Sequence, residues 1–164
     1  MSVITWSEAM SVGVTRLDRD HQVLIGLINR LAACDAEADA PVVADVLAAL
    51  VAYTHFHFRR EERVMEACGY AALAVHQEEH RLLAGEVMDL RARFEAAPGS
   101  VGQGELLHFL TGWLNHHVLL QDLAYREAIA DPAEAERVAI SFGDFDPDQL
   151  GLRPAVHAVF ASHG

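Results

Sequence analysis

Four runs of apolar residues at helical spacing, each closed off by helix breakers, constrain this chain more than any other feature. The first carries His21, Leu24, Ile25, Ile28 and Leu31 behind Asp18, a residue suited to cap a helix, and ends in the Ala/Asp/Glu-rich stretch before Pro41. The second starts at Pro41, a favoured first-turn residue, and carries Val43, Val46, Leu50, Tyr53, His57, Glu61, Val64 and Met65 until Gly69 stops it. The third, Leu73, His76, His80, Leu83, Val87, Leu90 and Phe94, runs to Ala96 and meets the breaker APGSVGQG. The fourth, Leu106, Leu110, Trp113, His117, Leu120 and Ala124, reaches about residue 130, ahead of Pro132. No strand pattern competes before residue 138. Helices joined by short connections pack antiparallel, so the expected fold is all-α, an up-down-up-down antiparallel four-helix bundle.

The flanks read differently. Residues 1–17 form an N-terminal arm, anchored by Trp6 and Val12 and broken at Gly13. Residues 131–164 form a C-terminal extension with a helix start at Asp131-Pro132-Ala133-Glu134 and turns from Phe142 to Pro147. Its apolar residues, among them Val138, Phe145, Val156 and Phe160, need a surface to cover. The expected division is a four-helix domain over residues 1–130 and an extension over 131–164, packed on the bundle or partly mobile.

With 164 residues, one domain can bury roughly 70% of its unfolded surface. Twelve basic against 24 acidic residues give a net charge of -12, which argues against nucleic acid or an anionic membrane as partner. Cys34 and Cys68 fall near opposite ends of an antiparallel helix pair, so no disulfide between them is expected. The start MSVITWSEAM has neither a basic region nor a long apolar run, and the expected location is the cytoplasm.

Ten histidines are the unusual total. Both His57 with Glu61 and His76 with His80 are spaced i, i+4, which stacks their side chains on one helix face. All fall on apolar stripes, where an ionisable group is costly without compensation. His21 and His117 join them from the other two helices. A lone histidine on an apolar face is more often a satisfied core residue than a ligand. Six inward positions from four helices, all at one level of an antiparallel bundle, reverse that balance. Five imidazoles with carboxylates suit borderline first-row metals, and their number exceeds the needs of one tetrahedral zinc, so two metals are the economical reading.

Two similar patterns do not fit. His76-Gln77-Glu78-Glu79-His80 lacks the glutamate that a zinc-protease HExxH needs after its first histidine. Ferritin-like di-iron sites use Glu-x-x-His on two helices, and the single example, Glu105-Leu106-Leu107-His108, lies at the start of the fourth helix, away from the other ligands.

The residues that carry a resemblance are Ser11-Val12-Gly13-Val14 with Leu17-Asp18-Arg19-Asp20-His21, then His57-Phe58-Arg59-Arg60-Glu61-Glu62, Gly69-Tyr70, His76-Gln77-Glu78-Glu79-His80 and Trp113 through Asp122. Over roughly Trp6 to Ala130 the chain resembles the bacterial hemerythrins, oxygen-binding non-haem di-iron proteins. The resemblance implies two iron ions (Fe2+/Fe3+) with an oxo or hydroxo bridge. One iron would be held by His76, His80 and His117, the other by His21 and His57, with Glu61 and Asp122 bridging. O2 would bind at the open position of the second iron as the pair passes from diferrous to diferric.

Asp122 enters only through this resemblance. Five residues past His117 is about 140° further round a regular helix, so aiming both inward requires a locally underwound, π-type turn. Leu24, Ile25, Phe58, Trp113, Leu114 and Val118 are the expected apolar lining of the open position, each equally an ordinary core residue. His55 turns away from His57; His108, His157 and His163 read as surface histidines, and His116 reads as a surface residue or one standing behind the ligands. Asp20 departs from the family pattern, standing where glutamine is common, and the extension has no counterpart in the minimal domain. The expected function is reversible O2 binding for storage or delivery, by a protein that is not an enzyme. An O2 or redox sensor signalling through the extension to a protein partner is the alternative, and a di-iron peroxidase or nitric-oxide-handling enzyme ranks below both.

Overall fold

The computed structural model describes residues 4–34 and 40–162. Its helices are α1 (Thr15–Ala32), α2 (Ala40–Ala67), α3 (Leu73–Ala96) and α4 (Gln103–Trp113), the last continuing as a π-helix over Leu114–Asp122 and a closing turn, α5 (Leu123–Tyr125). The extension adds α6 (Pro132–Ser141) and α7 (Pro154–Ala161). α2 packs along both α1 and α3, and α1 along α4, which gives the antiparallel four-helix bundle. The described residues contain no strand.

The apolar stripes make a large core, beside a smaller cluster in which Val64 and Met65 of α2 meet Val12, Leu17, Tyr125 and Ala139. Leu27, Ile28 and Leu31 of α1 meet Val46, Leu47 and Leu50 of α2 and Leu106 and Leu110 of α4, all buried. α2 has a stretch apolar enough by length and composition to cross a membrane, but 56% of that stretch is buried inside the protein, as the central helix of a bundle requires. Gly69 ends α2 with φ +66, a conformation that favours glycine, and the Tyr70 amide bonds back to the Met65 carbonyl. Cys34 and Cys68 form no disulfide with each other, and Cys34 Sγ donates to the Arg30 carbonyl at 3.2 Å.

α1 starts a turn earlier than an Asp18 cap requires. Asp18 lies in the first turn and turns outward to the arm, accepting from the Ser11 hydroxyl at 2.6 Å and the Val12 amide at 2.8 Å. Further back, the Ile4 amide donates to Asn29 Oδ1 at 2.9 Å and its carbonyl accepts from Asn29 Nδ2 at 2.8 Å, so the arm is tied along α1.

The extension covers the α1/α2 side. Asp131 caps α6 by accepting from the amides of Ala133 and Glu134, and Ala135 and Ala139 of α6 are buried. α6 lies on α2 and α1, and α7 lies on α1. Phe145 and Phe160 meet the Tyr53 ring edge-on at 5.2 and 5.4 Å, and Phe142 meets Phe56 at 5.0 Å. Arg153 fastens the far end to Asp45 at 2.8 Å.

Candidate metal centre

Seven polar side chains converge in the bundle interior with almost no exposure: His21, His57, Glu61 and Asp122 at 0%, His80 at 2%, His117 at 3% and His76 at 4%. They come from α1, α2, α3 and the π-helix, and six of them, all but Asp122, hold positions on the apolar stripes. They form two groups of potential metal ligands, Glu61, His76, His80, His117 and Asp122 in one and His21, His57, Glu61 and Asp122 in the other. Glu61 and Asp122 belong to both.

Asp122 divides its two oxygens between the groups. Oδ1 lies 3.1 Å from Nε2 of His76 and of His117, while Oδ2 lies 3.1 Å from Nε2 of His21. Glu61 Oε2 lies 3.1 Å from His80 Nε2 and 3.9 Å from His57 Nε2. Its Oε1 accepts a 2.6 Å hydrogen bond from the Tyr125 hydroxyl. Burial, followed by the charges of Glu61 and Asp122, pushes the Tyr125 hydroxyl well above its ordinary range, so it remains a donor.

The donor set fits a metal better than it fits itself. His21 Nε2, His57 Nε2, His117 Nε2, Glu61 Oε2 and both Asp122 oxygens are buried without a hydrogen-bond partner, although each lies close to others of the set. Buried polar groups in native proteins are rarely left so. His76 Nε2 and His80 Nε2 face each other at 3.0 Å, a contact that two bare nitrogens cannot share without a proton or cation between them. Without a metal, protons fill that role: burial lowers the basicity of His76 and His21, but the Asp122 and Glu61 carboxylates outweigh it and raise them to about 10 and about 8. Glu61 and Asp122 are held below the usual carboxylate range against the cost of burial, by His57, His76 and His80 for Glu61 and chiefly by His117, His21 and His76 for Asp122.

Behind the rings stand carboxylates that were not read as site residues from the sequence. Asp20 faces His57 Nδ1 at 3.2 Å, Glu62 faces His80 Nδ1 at 2.7 Å, and Glu79 lies 3.6 Å from His117 Nδ1. Carboxylates in this position orient an imidazole and leave its other nitrogen bare for a metal. Glu62 and Glu79 directly follow or precede a ligand position (Glu61, His80), which is the only sequence signal they carry. Arg60 is also buried, at 2% exposure, and its Nη1 donates to Asp20 at 2.7 Å.

The π-helix over Leu114–Asp122 turns Asp122 onto the face of His117. It also corrects the fourth stripe: Leu120, expected inward, is 62% exposed, and Ala124 is exposed too, because the extra residue in the turn rotates everything after His117. Of the six apolar residues expected beside the open position, Leu24, Trp113, Leu114 and Val118 line a small buried cavity with Ile28 and Leu110. Ile25 is buried but does not line it, and Phe58 stacks on the His80 ring at 3.9 Å. His55, His108 and His116 are exposed, His157 pairs with Asp148 at 2.7 Å, and His163 lies outside the described residues.

A family model described as the hemerythrin HHE cation binding domain matches residues 12–129. The chain is 32% identical over 129 residues to a bacteriohemerythrin of Pseudomonas aeruginosa, covering 79% of this chain and 83% of that protein. It is 32% identical over 126 residues to a bacteriohemerythrin of Methylococcus capsulatus, covering 76% of this chain and 95% of that protein. A crystal structure of wild-type hemerythrin matches with a TM-score of 0.71 at 30% identity, over 79% of this chain and 99% of that one.

Proposed function

The chain belongs to the hemerythrin family, and we propose that it binds O2 reversibly, for storage or delivery, at a non-haem di-iron centre. The observation that carries this reading is the sharing of two buried carboxylates, Glu61 and Asp122, between two groups of imidazoles. We assign one iron to His76, His80 and His117 and the other to His21 and His57, with Glu61 and Asp122 as bridges. When bound, the iron pair supplies the electrons that make O2 binding reversible.

The protein's own groups do the rest. Asp20 and Glu62 hold the Nδ1 sides of His57 and His80, which directs their Nε2 lone pairs inward. Tyr125 fixes one Glu61 oxygen and leaves the other free. The unequal count of imidazoles, three against two, leaves coordination space on the His21/His57 side. Leu24, Leu114 and Val118 line a small apolar cavity in the core, and their side chains offer a water no hydrogen-bond partner.

We take residues 1–130 as the hemerythrin-like domain and 131–164 as an extension packed on it, in a cytoplasmic protein with no nucleic-acid or membrane partner, in keeping with its net charge of -12. The test is an optical spectrum of the iron-loaded protein. A visible charge-transfer band that grows with O2 and disappears when O2 is removed is the expected result. One zinc per chain in freshly isolated protein, or a spectrum indifferent to O2, would overturn the reading. Steady turnover of peroxide or nitric oxide well above a His57→Ala control would instead make the protein an enzyme.

One contact favours a sensor role as the second reading. Gly143, in the extension, accepts from Arg60 Nη2, and Arg60 reaches Asp20 behind His57. Equal protease sensitivity of residues 131–162 in the reduced and oxidised forms would count against it.

A further inference from the structure

A line of polar contacts, part-buried at Gly143 and buried from Arg60 inward, runs from the extension to the two-imidazole side of the centre. The Gly143 carbonyl accepts from Arg60 Nη2, Arg60 Nη1 donates to Asp20 Oδ1 at 2.7 Å, and Asp20 Oδ2 faces His57 Nδ1 at 3.2 Å. Asp144 adds a second acidic neighbour, 3.8 Å from Arg60 Nη2 and 2.6 Å from Arg16 Nη1. The Arg60 guanidinium also lies on the Phe56 ring at 4.5 Å, and Phe56 in turn packs on Phe142 of the extension. With Arg60 at 2% and Asp20 at 4% exposure, neither side chain has solvent to substitute for its partners.

We propose that Arg60 is a positioning residue for His57, holding Asp20 against the ring's Nδ1, and that the turn at Gly143 in the C-terminal extension holds Arg60 in turn. A guanidinium is suited to this task because its planar fork presents two donors in fixed directions, one to a carboxylate and one to a carbonyl. Tyr53 is a further hydrogen-bond partner of Asp20, but Arg60 is the cation that pairs with this carboxylate in the interior. Locked by Arg60, it keeps its other oxygen on His57 and fixes the Nδ1–H tautomer, so that the bare nitrogen is Nε2. Among the described residues the three-imidazole side has no such link to the extension: Glu62, which accepts from Gln77, and Glu79 stand at the rim, with side chains 24% and 36% exposed. The extension therefore acts on one half of the centre.

This inference rests on the di-iron reading for its consequence, but its first test needs no iron. Nitrogen NMR of the histidine rings in metal-free protein reads the His57 tautomer directly. The wild type should hold its proton on Nδ1. Arg60→Met should shift the population toward Nε2–H, and Arg60→Lys, which restores the charge without the fork, should recover part of the shift. Gly143→Ala should move it the same way by less, because φ +91 disfavours any side chain there while a Cβ would meet no atom within 4 Å. Wild-type populations in Arg60→Met, with or without a loss of folding stability, overturn the proposal. If Arg60→Met does not fold, Gly143→Ala carries the test, and a wild-type ring there removes the extension from the relay. In iron-loaded protein challenged with a chelator, Arg60→Met should lose the His21/His57 iron about 10–100-fold more readily and keep the other. A wild type that takes up no iron would sink the di-iron reading while leaving the NMR result to judge the relay.

Discussion

The two imidazole groups of the centre are backed in different ways. His57 leans on Asp20, which is buried and paired with buried Arg60, whereas His80 and His117 lean on Glu62 and Glu79 at the edge of the bundle. An iron with open coordination space could be expected on the side nearer water. Here the side with fewer imidazoles is the deeper one, with His21 and His57 at 0% exposure, and the extension adds another layer over it. The difference matters because a buried ion pair is sensitive to the loss of either partner, while a rim carboxylate is screened by solvent. Access for a small apolar molecule, not water, is what such a placement favours.

The sharpest way to break this comparison is to remove what the halves share. Glu61→Ala or Asp122→Ala should take iron from both sides at once, dropping metal analysis from about two irons per chain to well below one. A variant that kept one full iron would mean that the two groups are independent. Next in size is the contrast between backing carboxylates. Asp20→Ala leaves the buried Arg60 guanidinium with only exposed Asp144, 3.8 Å away, as an acidic neighbour and should cost about 3–5 kcal/mol in urea unfolding of the metal-free protein. Glu79→Ala should cost less than about 1 kcal/mol. Equal costs would erase the distinction.

Leu24→Ala tests the dry wall, and should lose about 3 kcal/mol of stability while speeding O2 release in stopped flow. Acid–base behaviour separates the sides more gently. His21 and His76 are raised above the ordinary value of 6.5, to about 8 and about 10, so their stabilising contribution is complete below that value. It is lost as pH rises through about 8 and then about 10, and the metal-free protein should melt at lower temperature at pH 10 than at pH 7. Glu61 and Asp122, held low, contribute in the opposite sense, and their share is lost on acidification. With iron present the alkaline trend should reverse, because the metal needs the bare nitrogens. The smallest expected effect is that of Leu120→Gln, within about 0.5 kcal/mol, since Leu120 faces solvent.

Leu120 also marks where the sequence stops being readable. His57 with Glu61 and His76 with His80 obey regular helical spacing, and their placement on apolar stripes makes them visible without any structure. Asp122 does not, because periodicity assumes a constant 3.6 residues per turn and the π-helix over Leu114–Asp122 breaks that assumption. The same break sent Leu120 and Ala124 to the wrong face. Arg60, Glu62 and Glu79 look like members of solvated faces, since a charged residue beside a ligand position normally points away from it. Their roles depend on which neighbouring helix reaches them, and that is information from packing. The extension illustrates this most plainly: its capped helix at Asp131 and its turns were legible, but its seat on α1 and α2 rests on contacts such as Phe142 with Phe56 and Arg153 with Asp45 that span far-separated stretches.

Mössbauer spectroscopy of the iron-loaded, reduced protein before and after exposure to O2 addresses the central asymmetry most directly. Two unequal iron environments in equal amounts are expected, converted together by O2 and restored together when it is removed. A single environment, or a pair that ignores O2, would contradict an open two-imidazole iron beside a filled three-imidazole one.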